Sequence, residues 1–164
     1  MIVRFTKAPP AAQADSVCCL RDDRTTCTQP MPRQGILPRA AVHFVIETTL
    51  GWADAIYGQI ARGACLADLA GVTGAPELKR TKSPPSAVLQ SHALADCLQA
   101  DQWGGASDPA TFTLNLANAC RRLGAPTPEI SAQQLETVRV GLREFGAHWR
   151  PLGAGATFER TFAL

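Results

Sequence analysis

A histidine and a glutamate stand four residues apart in a segment whose apolar residues recur with a helical period. His43 and Glu47 therefore fall on one face of a helix, where their side chains can contact each other. A carboxylate beside an imidazole can fix its tautomer for acid–base chemistry, and both groups are common zinc ligands. This pair is the leading candidate for a catalytic or metal-binding site.

A structural role explains the same two residues. A metal site needs a third or fourth ligand, and a hydrolase needs a nucleophile or an activated water; the spacing of His43 and Glu47 supplies neither. A buried, hydrogen-bonded pair can instead fix its helix to a sheet. We favour this interpretation and predict no catalytic residue, no cofactor and no resident metal. A catalytic role would require Cys18, Asp22, Asp23 or another polar side chain to converge on the pair.

Two further histidines are predicted to have structural roles. His92 and Asp96 repeat the four-residue spacing, and Cys97 lies about 100° further round the helix, so the three do not form a triad. They are typical of a solvated pair. His148 follows Glu144 by four residues near a predicted helix end, where an imidazole can cap the helix.

Basic residues form two short clusters, one at 79–82 and one at Arg121 and Arg122. The net charge is only +2, and no aromatic residues alternate with the basic ones. Weak nucleic-acid binding is therefore a secondary alternative. It would gain support if the two clusters lay side by side in the fold.

The six cysteines are scattered without the CxxC spacing of metal sites. We predict free, buried thiols rather than disulfides or a zinc site. If Cys18 and Cys19 lie in a strand, they point to opposite faces and cannot jointly hold one metal.

The composition indicates one globular domain over residues 1–164. With 46% hydrophobic and 18% charged residues, the chain falls outside the disordered and coiled-coil classes. No run of about 18 apolar residues occurs, and Arg4 and Lys7 interrupt the first segment. We therefore expect no membrane partner, no export signal and a cytoplasmic location.

Alternating apolar residues predict strands near both ends of the chain. Segments 2–7, 16–21 and 25–29 have β character, and residues 22–24 predict a hairpin turn between the second and third. β character returns over 157–164. Pairing the last strand beside the first would give its apolar face a partner.

A helical period dominates the middle of the chain. Prolines 30, 32 and 38 are predicted to separate segments, and Pro38 and Gly51 to bracket the first helix. A second helix would follow with Asp54 as its cap and Gly63 as its terminator. Residues 70–85 are typical of an exposed connection. Three further helices are predicted to open at Ser83 to Pro85, at Asp108 with Pro109, and at Ser131, whose partner Gln134 completes a capping box.

These elements predict an α+β fold. Three N-terminal strands and a C-terminal strand would form one antiparallel sheet, packed by about five helices in a single domain.

Several segments together resemble a family of small, functionally uncharacterised bacterial proteins. The matching features are an FT-containing first strand, the RDD turn, VHFVIETTLGW, the segment Tyr57-Gly58-x-Ile60-Ala61-x-Gly63, and Trp149-Arg150-Pro151-Leu152 before a glycine-rich turn. The resemblance covers roughly the first sixty and last fifteen residues. It implies the order of the fold and the position of a pocket, but no reaction.

The same resemblance implies a ligand-like helix pattern, His-Asp-x-x-His-x-x-x-Glu. In this chain Arg39 and Ala40 stand at the first two positions, while His43 and Glu47 match. A divalent ion bound there would lack two of its four ligands.

The sequence therefore predicts a non-catalytic, cytoplasmic binding or interaction module of unknown ligand, which could act as a homodimer. Trp52 and Tyr57, at the junction of two helices, are the candidate contact surface, although packing into the core would also explain them. The alternative is an enzyme, or a small-ligand or metal site, centred on His43 and Glu47. The second alternative is the weak nucleic-acid binder.

Overall fold

The computed structural model describes residues 1–33, 36–65 and 84–163. Within these ranges the chain forms one four-stranded antiparallel sheet and five helices, which confirms the predicted α+β class. The strands are β1 (Ile2–Thr6), β2 (Ala14–Leu20), β3 (Thr26–Pro32) and β4 (Thr157–Thr161). The helices are α1 (Arg39–Leu50), α2 (Ile56–Ala61), α3 (Ser86–Gly104), α4 (Pro109–Leu123) and α5 (Ala132–Trp149).

The strand order is β3-β2-β1-β4, so the last strand lies beside the first, as predicted. The antiparallel register of β1 and β4 runs from Ile2 opposite Thr161 to Thr6 opposite Thr157. The terminal amine of Met1 donates to the carbonyl of Phe162 at 3.1 Å, and the amide of Phe162 donates back at 2.9 Å. The sheet thus holds the two ends of the chain together.

Pro30 lies inside β3, which corrects the prediction that it ends a segment, whereas Pro32 is the last residue of the strand. β3 is an edge strand that pairs with β2 alone. The amide of Arg21 donates to Thr25 across the turn, so odd-numbered residues of β3 form the hydrogen-bonded pairs with β2. The nitrogens of Pro30 and Pro32 therefore face away from the sheet, where a missing N–H costs no ladder bond.

One face of the sheet forms the floor of the core. Val3, Phe5 and Val17 point inward and are buried, as the period of two requires. The ring of Phe5 meets Phe44 of α1 edge-on at 5.7 Å and Phe145 of α5 at 5.1 Å. Aromatic contacts of this kind join the sheet to the two helices that cover it.

The predicted helix ends are largely confirmed. Gly51 ends α1 in the left-handed conformation, with φ of 67°. The carboxylate of Asp108 accepts from the first amides of α4, and Ser131 forms the capping box with Gln134. Ser83 and most of the predicted connection at 70–85 lie outside the described residues. No helix among the described residues is long and apolar enough to cross a membrane.

Candidate functional site

His43 and Glu47 face α3 and are almost completely buried, with 4% and 1% of their surfaces exposed. A serine side chain stands between them. Nδ1 of His43 lies 2.8 Å from Oγ of Ser91, and the Ser91 hydroxyl donates to Oε1 of Glu47 at 3.2 Å. We call Glu47, Ser91 and His43 the polar network. It joins α1 to α3 in the interior of the protein.

Glu47 also caps α2. Its Oε1 accepts a hydrogen bond from the amide of Ile56 at 3.0 Å, and its Oε2 accepts one from the amide of Tyr57 at 2.7 Å. These are the amides at the start of α2, which helical bonding leaves without partners. The prediction of Asp54 as the cap is therefore wrong: the Asp54 carboxylate pairs with Arg62 at 2.9 Å. Local sequence could not reveal a cap supplied by another helix.

Burial and hydrogen bonding have opposite effects on the pKa of the Glu47 carboxyl group. Burial raises its pKa to about 8, because a charge is poorly solvated in the interior. Hydrogen bonds donated by Tyr57, Ser91 and Ile56 favour the ionised form and limit the rise. Glu47 therefore keeps its proton to a higher pH than an exposed glutamate does.

His43 is a neutral imidazole. Burial lowers its pKa well below the usual range, and the nearby His92 and Arg39 lower it further. When Glu47 is ionised, Ser91 must donate to the carboxylate, so Nδ1–H of His43 donates to Ser91. Nε2 then carries a lone pair. This atom is buried and has no hydrogen-bond partner among the described residues.

Arg39 brings a positive charge to the outer end of this interface. Its guanidinium pairs with Asp96 and donates to Gln99 at 3.2 Å, and Nη2 lies 3.4 Å from Nδ1 of His92. The rings of His92 and His43 meet at right angles, 4.8 Å apart. The predicted solvated pair of His92 and Asp96 is thus wrong, because His92 is buried and Asp96 pairs with Arg39 of α1.

Cys18, Asp22 and Asp23, which a catalytic site at His43 and Glu47 would require, do not contact that pair. Asp22 pairs with the terminal amine of Met1 at 3.2 Å. Asp23 accepts from the amide and hydroxyl of Thr25 in the β2–β3 turn, and these bonds lower its pKa. Cys18 lies on the sheet face opposite to the buried Cys19. Among the described residues no three His, Cys, Asp or Glu side chains are grouped to hold a metal ion.

The two candidate contact aromatics have different environments. Tyr57 is fully buried; its hydroxyl donates to the carbonyl of Ala40 at 2.9 Å and its ring meets Phe44 edge-on. It therefore offers no surface to a partner in this fold. Trp52 is half-buried and packs against the core.

The remaining polar candidates behave as structural groups. His148 lies with Nδ1 2.8 Å from the carbonyl of Glu144, as predicted for a residue near a helix end. Arg121 donates to Asn118 of its own helix at 3.2 Å. The basic cluster at 79–82, which was predicted to matter if it lay beside Arg121 and Arg122, is outside the described residues.

Cys19 and Cys120 are free and buried, as predicted, whereas Cys18 and Cys97 are free but only half-buried. Cys27 is buried and Cys65 is exposed, so the prediction of burial is wrong for Cys65. Burial raises the pKa of the Cys19 thiol to about 12. Cys19 is therefore a poor nucleophile and a poor metal ligand at neutral pH.

The outer edge of β4 is a second feature with functional potential. Met1 bonds to Phe162 and Lys7 to Ala156, so even-numbered residues of β4 exchange main-chain hydrogen bonds with β1. The N–H and C=O groups of Thr157, Glu159 and Thr161 consequently point away from the sheet. These odd-numbered groups form an open edge on the described fold.

A cavity of about 260 Å³ lies beside this edge, between β4, α1 and α5. Apolar side chains supply one part of its wall, and polar groups such as Glu144 and Arg160 supply another. The cavity gives space to side chains that approach the edge of β4.

No family model, curated protein or solved structure matches this chain. Its function is therefore inferred from the geometry of the described residues.

Proposed function

We propose that this chain is a non-catalytic interaction module in which the polar network braces the fold. The observation that carries the proposal is the hydrogen bonding of Glu47. Both of its carboxylate oxygens accept bonds from groups of the same chain, and only 1% of the residue is exposed. A substrate would have to displace main-chain amides to reach this carboxylate.

The network is well placed for bracing because it connects three helices. Glu47 belongs to α1, Ser91 to α3, and the amides of Ile56 and Tyr57 to the start of α2. The hydroxyl of Tyr57 adds a further bond from α2 to α1. Buried polar groups that are satisfied in this way restrict the core to one arrangement.

The edge of β4 supports the interaction part of the proposal. Unpaired strand edges are the usual place where a second strand joins a sheet. In this fold the edge lies next to a cavity that can receive side chains, whereas the opposite edge contains Pro30 and Pro32. A cytoplasmic location belongs to the same proposal.

An enzyme or metal site centred on His43 and Glu47 is the alternative. One observation favours it: the buried Nε2 atom of His43 has no hydrogen-bond partner among the described residues. An imidazole nitrogen with a lone pair can bind a metal or accept a proton.

Removing the Ser91 hydroxyl tests the brace. We expect Ser91→Ala to lower the free energy of unfolding by about 1–3 kcal/mol, because His43 loses its partner and Glu47 loses a donor. Urea unfolding followed by circular dichroism measures the change. Ser86→Ala, an exposed position on the same helix, is the matched control and should change stability by less than about 0.5 kcal/mol. A Ser91→Ala protein as stable as the parent would refute the brace.

Metal loading separates the proposal from its alternative. Protein purified without chelator is incubated with Zn²⁺ or Mn²⁺, dialysed and analysed for metal by mass spectrometry. We expect His43→Gln and the parent to retain equal amounts, since Glu47 is already occupied. His148→Gln, an exposed histidine, is the control. Stoichiometric metal that is lost only in His43→Gln would establish a metal site and overturn the proposal.

A further inference from the structure

We propose that a second copy of this chain adds its β4 antiparallel to β4, with Phe158 opposite Phe158 of the second copy. The two four-stranded sheets would become one continuous sheet across a twofold axis. This inference rests on the proposed function, because it identifies the partner of the interaction module.

The outer edge of β4 presents both the N–H and the C=O groups that strand addition requires. Phe158, Arg160 and Phe162 direct their main-chain groups to β1, which leaves those of Thr157, Glu159 and Thr161 directed outward. An added strand must present N–H and C=O groups at the same two-residue spacing. In a second copy of β4, the outward N–H and C=O groups of Thr157, Glu159 and Thr161 have this spacing.

The opposite edge of the sheet cannot pair in the same way. Pro30 and Pro32 occupy two of the four outward-facing positions of β3 and have no N–H to donate, which leaves the amides of Thr26 and Thr28. A strand added to β3 would therefore lack half of its donors, so β4 is the better edge for strand addition. Pairing of one edge with itself gives an isologous dimer that closes, rather than a growing filament.

Side chains select among the registers of β4 against β4. A register centred on Glu159 would place two carboxylates directly opposite each other, and one centred on Arg160 would do the same with two guanidinium groups. Like charges opposite each other destabilise a strand pair. Centring on Phe158 instead pairs two aromatic rings, places Thr157 opposite Glu159, and sets the small Ala156 opposite Arg160.

The residues at the centre of this register are already ordered in the single chain. The Arg160 guanidinium lies 4.1 Å from the ring centroid of Phe158, and the His148 ring stacks on Phe158 at 5.5 Å. Glu159 is held by Arg4 at 2.7 Å. Groups that are fixed before association lose little entropy when they bind.

Concentration-dependent association and hydrogen exchange test the inference. Sedimentation velocity from about 5 µM to about 1 mM should show a monomer–dimer equilibrium. Over the same range the amides of Thr157 and Glu159 should exchange about tenfold more slowly, because each becomes a donor in the new ladder. The amide of Phe158 should change little, since it already donates within the chain.

Two variants locate the interface. Thr157→Pro removes an outward N–H and leaves the β1–β4 ladder intact, so we expect a monomer; Thr157→Val keeps the N–H, loses the same hydroxyl contact with Thr6, and should still dimerise. Glu159→Gln should change the dimer constant by less than about threefold in the Phe158 register. If Glu159→Gln dimerises tenfold or more tightly than the parent, the Phe158 register is wrong and a register centred on Glu159 is correct.

The inference fails if the parent is monomeric throughout and the exchange of Thr157 and Glu159 is independent of concentration. It also fails if Thr157→Pro folds and still dimerises as the parent does. If Thr157→Pro does not fold, the concentration dependence of hydrogen exchange at Thr157 and Glu159 in the parent decides whether β4 forms the interface. None of these outcomes affects the brace, which is tested separately by Ser91→Ala and by metal loading.

Discussion

Gly58→Ala is expected to destabilise the protein by about 3 kcal/mol or more. A Cβ atom on Gly58 would overlap the main-chain carbonyl of Ala53. The overlap can be relieved only if the loop that contains Ala53, before α2, moves. That loop is fixed, because the amides of Ile56 and Tyr57 are bonded to the buried Glu47. Urea unfolding of the variant and the parent measures the loss.

Gly104→Ala is the matched control for this prediction. Gly104 is the last residue of α3, and a Cβ there meets no atom within 4 Å. Alanine has the higher helix propensity, so stability should be unchanged or should rise by up to about 1 kcal/mol. Similar losses in the two variants would show that steric overlap with Ala53 is not the cause.

The sequence contained much of the fold because many of its signals are local. The turn at 22–24, the glycine after α1, and the serine and glutamine at the start of α5 each act within a few residues of themselves. The sheet also followed from the sequence, because a final strand with one apolar face needs a neighbour. β1 is that neighbour.

The errors arose where tertiary contacts replaced local ones. Asp54 is a residue type that commonly caps helices, but the first amides of α2 donate to Glu47 instead. Pro30 and Pro32 break most strands, yet they are tolerated in β3 because it is an edge. Gly58 shows no sign of its importance in the sequence, since the carbonyl it must avoid comes from the fold of the preceding loop.

The candidate site could be predicted only in part. Four-residue spacing placed His43 and Glu47 on one helix face, and both do lie on the face of α1 that packs against α3. The serine that joins them is 48 residues from His43 and 44 from Glu47 along the chain. Arg39 pairs with Asp96 across the same interface. Spacing along one helix carries no information about either contact.

Glu47→Ala is the second substitution with a large expected effect. It would leave the amides of Ile56 and Tyr57 and the hydroxyl of Ser91 without their acceptor in a buried site. Each unsatisfied group costs about 1–3 kcal/mol, and we expect a total loss of about 3–5 kcal/mol after partial relaxation. Glu47→Gln retains one carbonyl oxygen, so it should lose less. Equal losses in the two variants would mean that side-chain volume, rather than hydrogen bonding, explains the effect.

The pH dependence of stability gives a further test of Glu47. Because its pKa is raised to about 8 in the folded protein, the folded state binds more protons than the unfolded state from about pH 4.5 to pH 8. The stabilisation is complete below the unfolded pKa and is lost as the pH rises through 8. Between pH 6.5 and pH 8 the parent should lose about 2 kcal/mol more than Glu47→Gln, which has no proton to release.

Unfolding of both proteins in urea at the two pH values measures this difference. Because the two proteins share every other titrating group, the comparison isolates Glu47 from His43 and from the six thiols. Parallel stability curves would contradict the prediction. They would mean that Glu47 stays ionised throughout, and that the bonds from Ile56, Tyr57 and Ser91 outweigh the cost of burying its charge.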